Sequence, residues 1–146
     1  MSILYADTSA LARAHLPDEA GHGELYKRLR SQDAAVLTSV LTRVEFARAA
    51  RAAGRTGRLK RWRVTLERFE HDCRPGGPIT VLALDPGRVL PAARELVLEH
   101  PIGTLDAIHL TVALQDGREV AGEDLVFVTR DRGQARAARK LGLAVA

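Results

Sequence analysis

Ser2-Ile-Leu-Tyr-Ala-Asp-Thr-Ser9 decides the fold. Ile3, Leu4, Tyr5 and Ala6 make a short apolar run that stops at Asp7, and an Ala/Leu-rich segment follows Thr8 and Ser9. Such a run suits a strand buried on both faces, as in a parallel sheet. Asp-Thr-Ser suits a helix start, because each side chain can accept a hydrogen bond from a backbone N–H left unpaired in the first turn. Asp7 is therefore expected at the carboxyl end of a buried strand, the edge where open α/β sheets keep their ligand sites. Read alone, the stretch favours a plainer role, that Asp7 is only a helix cap.

The pattern repeats along the chain. After a helix over about 8–13, His15-Leu16-Pro17-Asp18 breaks the periodicity, and a second helix is expected from about Glu19 to Leu29. Residues 34–38 read as a strand, with Ser39 capping a long helix from Val40 to about Ala53 that Gly54 ends. A further helix over about 59–71 carries Trp62, Leu66 and Phe69 as its apolar stripe. Residues 79–84 are a strand, and Asp85-Pro86 opens a helix to about Leu98. Thr104 caps the next helix, to about Gln115, and Asp116 to Asp124 is a polar loop. Residues 125–128 are a strand, a helix follows Thr129-Arg130-Asp131 through Leu141, and 143–145 can add a last short strand. Strands alternating with helices predict an α/β fold: a three-layer α/β/α sandwich around a mostly parallel sheet. No repeat or linker divides residues 1–146, which read as one domain.

The bulk properties narrow the class. With 27% charged residues and abundant aliphatics, the chain is globular. No apolar run approaches a membrane span, nothing at the start reads as a secretion signal, and Cys73 stands alone, so no intramolecular disulfide and no multi-cysteine zinc site is possible. A cytoplasmic protein with no membrane partner is expected. The net charge is +4 and the pI about 9.8, supplied almost wholly by arginine. Arginine suits phosphate through its bidentate fork, although a GC-rich coding sequence gives the same bias. Residues 43–74 are the most basic stretch, a polyanion surface or a solvated helix face.

Four acids fall at related places. Asp7 and Asp131 follow strands, Asp106 lies in a first turn, and Glu45 is less than two turns into a helix. Right-handed crossovers bring the carboxyl ends of parallel strands to one edge, where such acids can meet. Helix dipoles explain each acid singly but do not require convergence. Carboxylates that converge repel, and their pKa values rise unless a cation joins them. An all-oxygen donor set suits Mg2+ or Mn2+ rather than Zn2+. Such an ion can activate a water for attack on phosphorus. Acid cluster and basic surround together read as a metal-dependent nuclease.

The chain also resembles a known family over its whole length. Tyr5-Ala-Asp7-Thr-Ser-Ala-Leu11, Leu41-Thr-Arg-Val-Glu45, Thr104-Leu-Asp106-Ala-Ile-His-Leu110 and Phe127-Val-Thr-Arg-Asp131 are similar, in order and spacing, to the PIN-domain family and within it to the VapC-type toxins. The resemblance implies a Mg2+- or Mn2+-dependent ribonuclease with Asp7, Glu45, Asp106 and Asp131 as its acidic site. Asp7 and Asp106 are then the direct metal ligands, with Asp131 and Glu45 binding through water or a second ion or orienting the attacking water. Ser9 and Thr129 support the site by hydrogen bonds. The resemblance further implies a homodimer, a small cognate antitoxin, and tRNA or ribosomal RNA as substrate.

Other residues stay open or fall away. Arg130 and Arg132 either contact phosphate or are solvated, and Arg43 is a candidate of the same kind. His109, three residues after Asp106, is not needed as a ligand in an oxygen site. Trp62 reads as helix packing with RNA stacking as the alternative, and Cys73 as a buried thiol with no histidine partner. A PIN-fold module that binds RNA or protein without cleaving is the other reading. A phosphatase with a nucleophilic aspartate after the first strand needs an acid where Ser9 stands.

Overall fold

Each apolar run becomes a strand of one sheet. β1 (Ser2–Ala6), β2 (Ala34–Ser39), β3 (Ile79–Leu82), β4 (Leu125–Val128) and β5 (Ala144–Val145) lie in the order β3-β2-β1-β4-β5. Every pairing is parallel, so the sheet is wholly rather than mostly parallel. The computed structural model describes residues 2–18 and 20–146.

Side chains alternate across the sheet and seed two cores, one per face. On one face Leu4, Ala6, Val36 and Val128 pack under α1 (Thr8–His15), α2 (His22–Leu29), α3 (Leu41–Arg55) and α4 (Trp62–Asp72). Phe46 and Phe69 stack there with centroids 3.9 Å apart. On the other face Tyr5, Leu37, Leu125 and Phe127 pack under α5 (Pro86–Glu99), α6 (Thr104–Val112) and α8 (Arg132–Lys140). Tyr5 and Phe127 are neighbours in register and stack at 5.4 Å. Each such large apolar side chain contributes about 1.5–3 kcal/mol by leaving water. This two-sided burial gives the three layers that the uninterrupted apolar runs predict.

Several boundaries differ from the sequence reading; α4 starts at Trp62 rather than near residue 59, and β3 ends at Leu82 rather than 84. Gly54 does not end α3, which runs to Arg55 and stops before Gly57, whose φ is +76°. Gly54 is instead a contact: a Cβ there would meet Trp62 Cδ1 at 2.0 Å, so the missing side chain lets α4 close on α3. Thr104 is the first residue of α6, capped by the backbone of Gly103 rather than by the threonine side chain. Residues 113–121, expected to become a polar loop from 116, stay helical as a π turn (Ala113–Gly117) followed by α7 (Arg118–Ala121). Gly117 packs there against Leu125, and Arg88 of α5 binds Asp116 and Glu119, which supplies tertiary support that local turn signals omit. The expected start of the second helix at Glu19 lies outside the described residues, and α2 is described from His22.

Candidate active site

The strand order reverses beside β1. The chain steps outward through β2 to β3, then crosses to the other side of β1 for β4 and β5. Open parallel sheets form a crevice beyond the strand ends at such a reversal. Asp7 leaves β1 on one side of it, and Thr129, Arg130 and Asp131 leave β4 on the other.

Asp7 is 3% exposed and does cap α1: its Oδ1 accepts from the Ala10 N–H at 2.9 Å. The Ser9 hydroxyl donates to Oδ1 at 2.8 Å, and the Thr129 hydroxyl lies 2.9 Å from Oδ2. Burial pushes the carboxyl up, and the Ala10 N–H, Ser9, His109 and Thr129 only partly offset it, so the net shift is upward. Thr129 is itself a junction. Its oxygen accepts from the Asp131 N–H at 3.1 Å and lies 2.7 Å from Gln134 Oε1. One hydroxyl proton thus faces two acceptors, Asp7 and Gln134, and can serve one at a time. Ser9 and Thr129 thus both hydrogen-bond the Asp7 carboxylate.

The other acids arrive from three helices. Glu45 of α3 accepts on Oε1 from the Thr8 hydroxyl at 2.8 Å and from His109 Nε2 at 2.6 Å. Burial raises the Glu45 carboxyl, but His109 and Thr8 outweigh it and hold it below its usual value. Asp106, in the first turn of α6, has no hydrogen bond to its carboxylate among the described residues. Burial raises it, and the charges of Asp131, Asp7 and Glu45 raise it further. Asp131 is exposed and caps α8, accepting from the Gln134 N–H at 2.7 Å. All four acids line one groove of about 600 Å³. The four acids thus converge, and their mutual repulsion raises Asp106, whereas the hydrogen bonds from His109 and Thr8 hold Glu45 down.

The arginines divide. Arg48 lines the groove, and Arg13 and Arg130 border an adjoining hollow of about 270 Å³ with Ser9 and Asp131. Arg132 is exposed at the first position of α8. Arg43 is bound to Glu70 on the neighbouring helix and does not line the groove, because its side chain leaves α3 toward α4. A larger hollow, about 620 Å³ between α2 and α4, holds the buried Asp72, already paired with Arg30 at 2.6 Å and His15 at 3.2 Å. Burial and nearby Glu70 push the Cys73 thiol up to about 11, so it is no ready nucleophile.

Among the described residues no three His, Cys, Asp or Glu side chains form a ready-made metal-binding group. Asp7 is committed to its cap and Glu45 to His109. What remains is hard carboxylate oxygen, centred on the unbonded Asp106 beside Asp7 and Asp131. That donor set fits Mg2+ or Mn2+, which take one or two carboxylates and complete their shell with water and substrate phosphate.

Two site residues escaped the sequence reading. His109, set aside as a ligand, is 2% exposed and bridges Tyr5 to Glu45. Its position one turn after Asp106 was the available signal. Gln134 is fully buried and ties Thr129, Asp131 and the Asp106 carbonyl together. A lone glutamine among Ala and Arg gives no comparable signal.

A family model described as PIN domain matches residues 4–140. Direct sequence comparison finds no match among curated proteins. Solved structures share the fold at low identity. VapC20 of Mycobacterium tuberculosis, described as a sarcin-ricin loop cleaving toxin, aligns with TM-score 0.65 and 19% identity over 92% of this chain and 94% of its own. FitAcB of Neisseria gonorrhoeae aligns with TM-score 0.63 and 21% identity over 97% and 95%. VapBC2 of Rickettsia felis, solved bound to a promoter DNA fragment, aligns with TM-score 0.62 and 13% identity over 99% and 97%.

Proposed function

The chain belongs to the PIN domain family, and on that footing we propose that it is a Mg2+- or Mn2+-dependent endoribonuclease, the toxin of a toxin–antitoxin pair. The observation that carries this reading is the meeting of Asp7, Glu45, Asp106 and Asp131, from four separate elements, along one groove at the sheet reversal. A divalent ion bound there supplies Lewis-acid charge stabilisation and a water of lowered pKa. Asp106 and Asp7 are the residues to hold it, with Asp131 beside them. Ser9 and Thr129 keep the Asp7 carboxylate in one orientation. Arg48, Arg13 and Arg130 neutralise backbone phosphates at the groove and its adjoining hollow. The substrate class is structured RNA, tRNA or ribosomal RNA; the description of VapC20 as cleaving the sarcin-ricin loop supports that class. The protein works in the cytoplasm as a homodimer, restrained by a small cognate antitoxin. A solved structure of similar fold, described as a toxin–antitoxin complex from Klebsiella pneumoniae, supports that partner.

A non-catalytic PIN-fold module that binds RNA or protein is the second reading, favoured by the lack of a ready-made metal group among the described residues. One experiment separates the two. Purified protein with Mn2+ is expected to cut tRNA or ribosomal RNA at defined positions, read by sequencing 5′ ends. Chelator and Asp7→Asn each abolish the cuts. Equal cutting by wild type and Asp7→Asn overturns the site assignment, and absence of cutting together with absence of Mn2+ binding favours the non-enzyme.

A further inference from the structure

His109 has both ring nitrogens engaged on opposite sides. Nδ1 lies 2.9 Å from the hydroxyl of Tyr5, which is 0% exposed, and Nε2 lies 2.6 Å from Glu45 Oε1. An ionised carboxylate only accepts, so Nε2 carries a proton. Tyr5 then donates to Nδ1, which fixes the tautomer and the ring plane. Thr8 donates to the same Oε1 at 2.8 Å. One oxygen of Glu45 is therefore doubly committed, while Oε2 has no hydrogen bond among the described residues. Glu45 and His109 both line the groove.

From this geometry we infer that His109, set by Tyr5 and helped by Thr8, is a positioning residue that locks Glu45 through Oε1 and presents Oε2 to the groove as a free acceptor for water. The inference rests on the nuclease reading for its effect on turnover, but not for its effect on Glu45. It assigns the buried pair a purpose that packing alone does not need, since Tyr5 and His109 also touch only at an edge, with centroids 6.1 Å apart. A glutamine places an amide N–H near the position of Nε2, whereas a leucine fills much of the volume with no donor.

The test compares His109→Leu, His109→Gln and Tyr5→Phe with the wild type. In His109→Leu, kcat for RNA cleavage is expected to fall about 10–100-fold, the range typical of groups that orient a site residue from behind. KM should change far less, because the groove arginines are untouched. His109→Gln should restore most of the loss, and Tyr5→Phe should show a smaller loss of kcat with the imidazole still in place. Crystal structures of the metal-free variants supply the readout independent of activity. Glu45 should leave its wild-type position in His109→Leu and keep it in His109→Gln. Equal kcat in wild type and His109→Leu, or Glu45 unmoved in His109→Leu, overturns the inference. If His109→Leu fails to fold, Tyr5→Phe and His109→Gln carry the same comparison. A wild type that cuts no RNA refutes the nuclease reading instead, and the position of Glu45 then still decides this one.

Discussion

Replacing Asp7 by Asn or by Ala separates the two roles that one carboxylate carries. Oδ1 receives the Ala10 N–H and the Ser9 hydroxyl, and Oδ2 faces the Thr129 hydroxyl. In Asp7→Asn the amide oxygen keeps the first two, since Asn caps as well as Asp. The amide nitrogen then faces Thr129, and one proton rotation repairs the contact: Thr129 accepts from Asn and gives its own proton to Gln134, 2.7 Å away. In Asp7→Ala the cap is lost, at about 0.5–2 kcal/mol. Ser9 and Thr129 also lose an acceptor, at about 1 kcal/mol more. Both variants shed the same buried charge, so that term cancels between them. Asp7→Asn should therefore be more stable than Asp7→Ala by about 1.5–3 kcal/mol, or about 5–10 °C in Tm for a chain of this size. Thermal melts in chelator measure the difference, and an RNA cleavage assay on the same proteins in Mn2+ without chelator should find both variants inactive and the wild type active. Added Mn2+ should raise the wild-type Tm, by about 2.7 kcal/mol of stability at a hundredfold excess over Kd, and leave Asp7→Asn unmoved. If Asp7→Asn melts with Asp7→Ala, the hydroxyl rotation is wrong. If Asp7→Asn cleaves, Asp7 is only a cap.

Asp7 and Asp106 are both pushed above the usual carboxylate range, so the folded protein holds protons more tightly there than the unfolded chain does. Their contribution to metal-free stability therefore falls as pH rises from the unfolded carboxylate pKa, about 4, through the folded values. Asp106→Asn should remove its part, so the Tm gap between variant and wild type widens in the variant's favour as pH is raised in chelator. Gly54→Ala gains about 1 kcal/mol of helix propensity but drives a methyl into Trp62, at about 1–3 kcal/mol. A net loss is expected in denaturant melts, and it should vanish or reverse in the Trp62→Ala background. Arg48→Glu should weaken RNA binding and flatten its salt dependence by about one phosphate contact, with the Tm nearly unchanged, as read by filter binding over a salt series.

Much of the fold was legible because it rests on local chemistry. Apolar runs without alternation announced β1, β2 and β4, and Asp7, Asp85 and Asp131 announced helix starts where each does cap a helix. The boundaries that failed were decided by distant contacts. Gly54 reads as a stop until Trp62 is placed over it, and Gly117 reads as a turn until Leu125 and the Arg88 pairs hold the π turn in place. The four acids could be singled out by their places at strand ends and helix starts, and the motifs of the resembled family carried most of their weight as a site. Their supporting shell was less so, since His109 and Gln134 act through partners that lie far off in the chain, Tyr5 by 104 residues in the first case. Arg43 shows the opposite limit: its place in a basic stretch suggested phosphate, and Glu70 claims it.

Sequence separation also has a temporal side. The Thr129–Asp7 contact spans 122 residues, and β4 must slide in beside β1 before it can form. Synthesis delivers β1 well before β4, so Asp7 and Glu45 emerge long before Asp131 exists. Closing so long a loop is among the slower steps of assembly. A chain that has not yet been extended past Asp131 therefore cannot gather its four acids, and the groove forms only once β4 has been made and paired with β1.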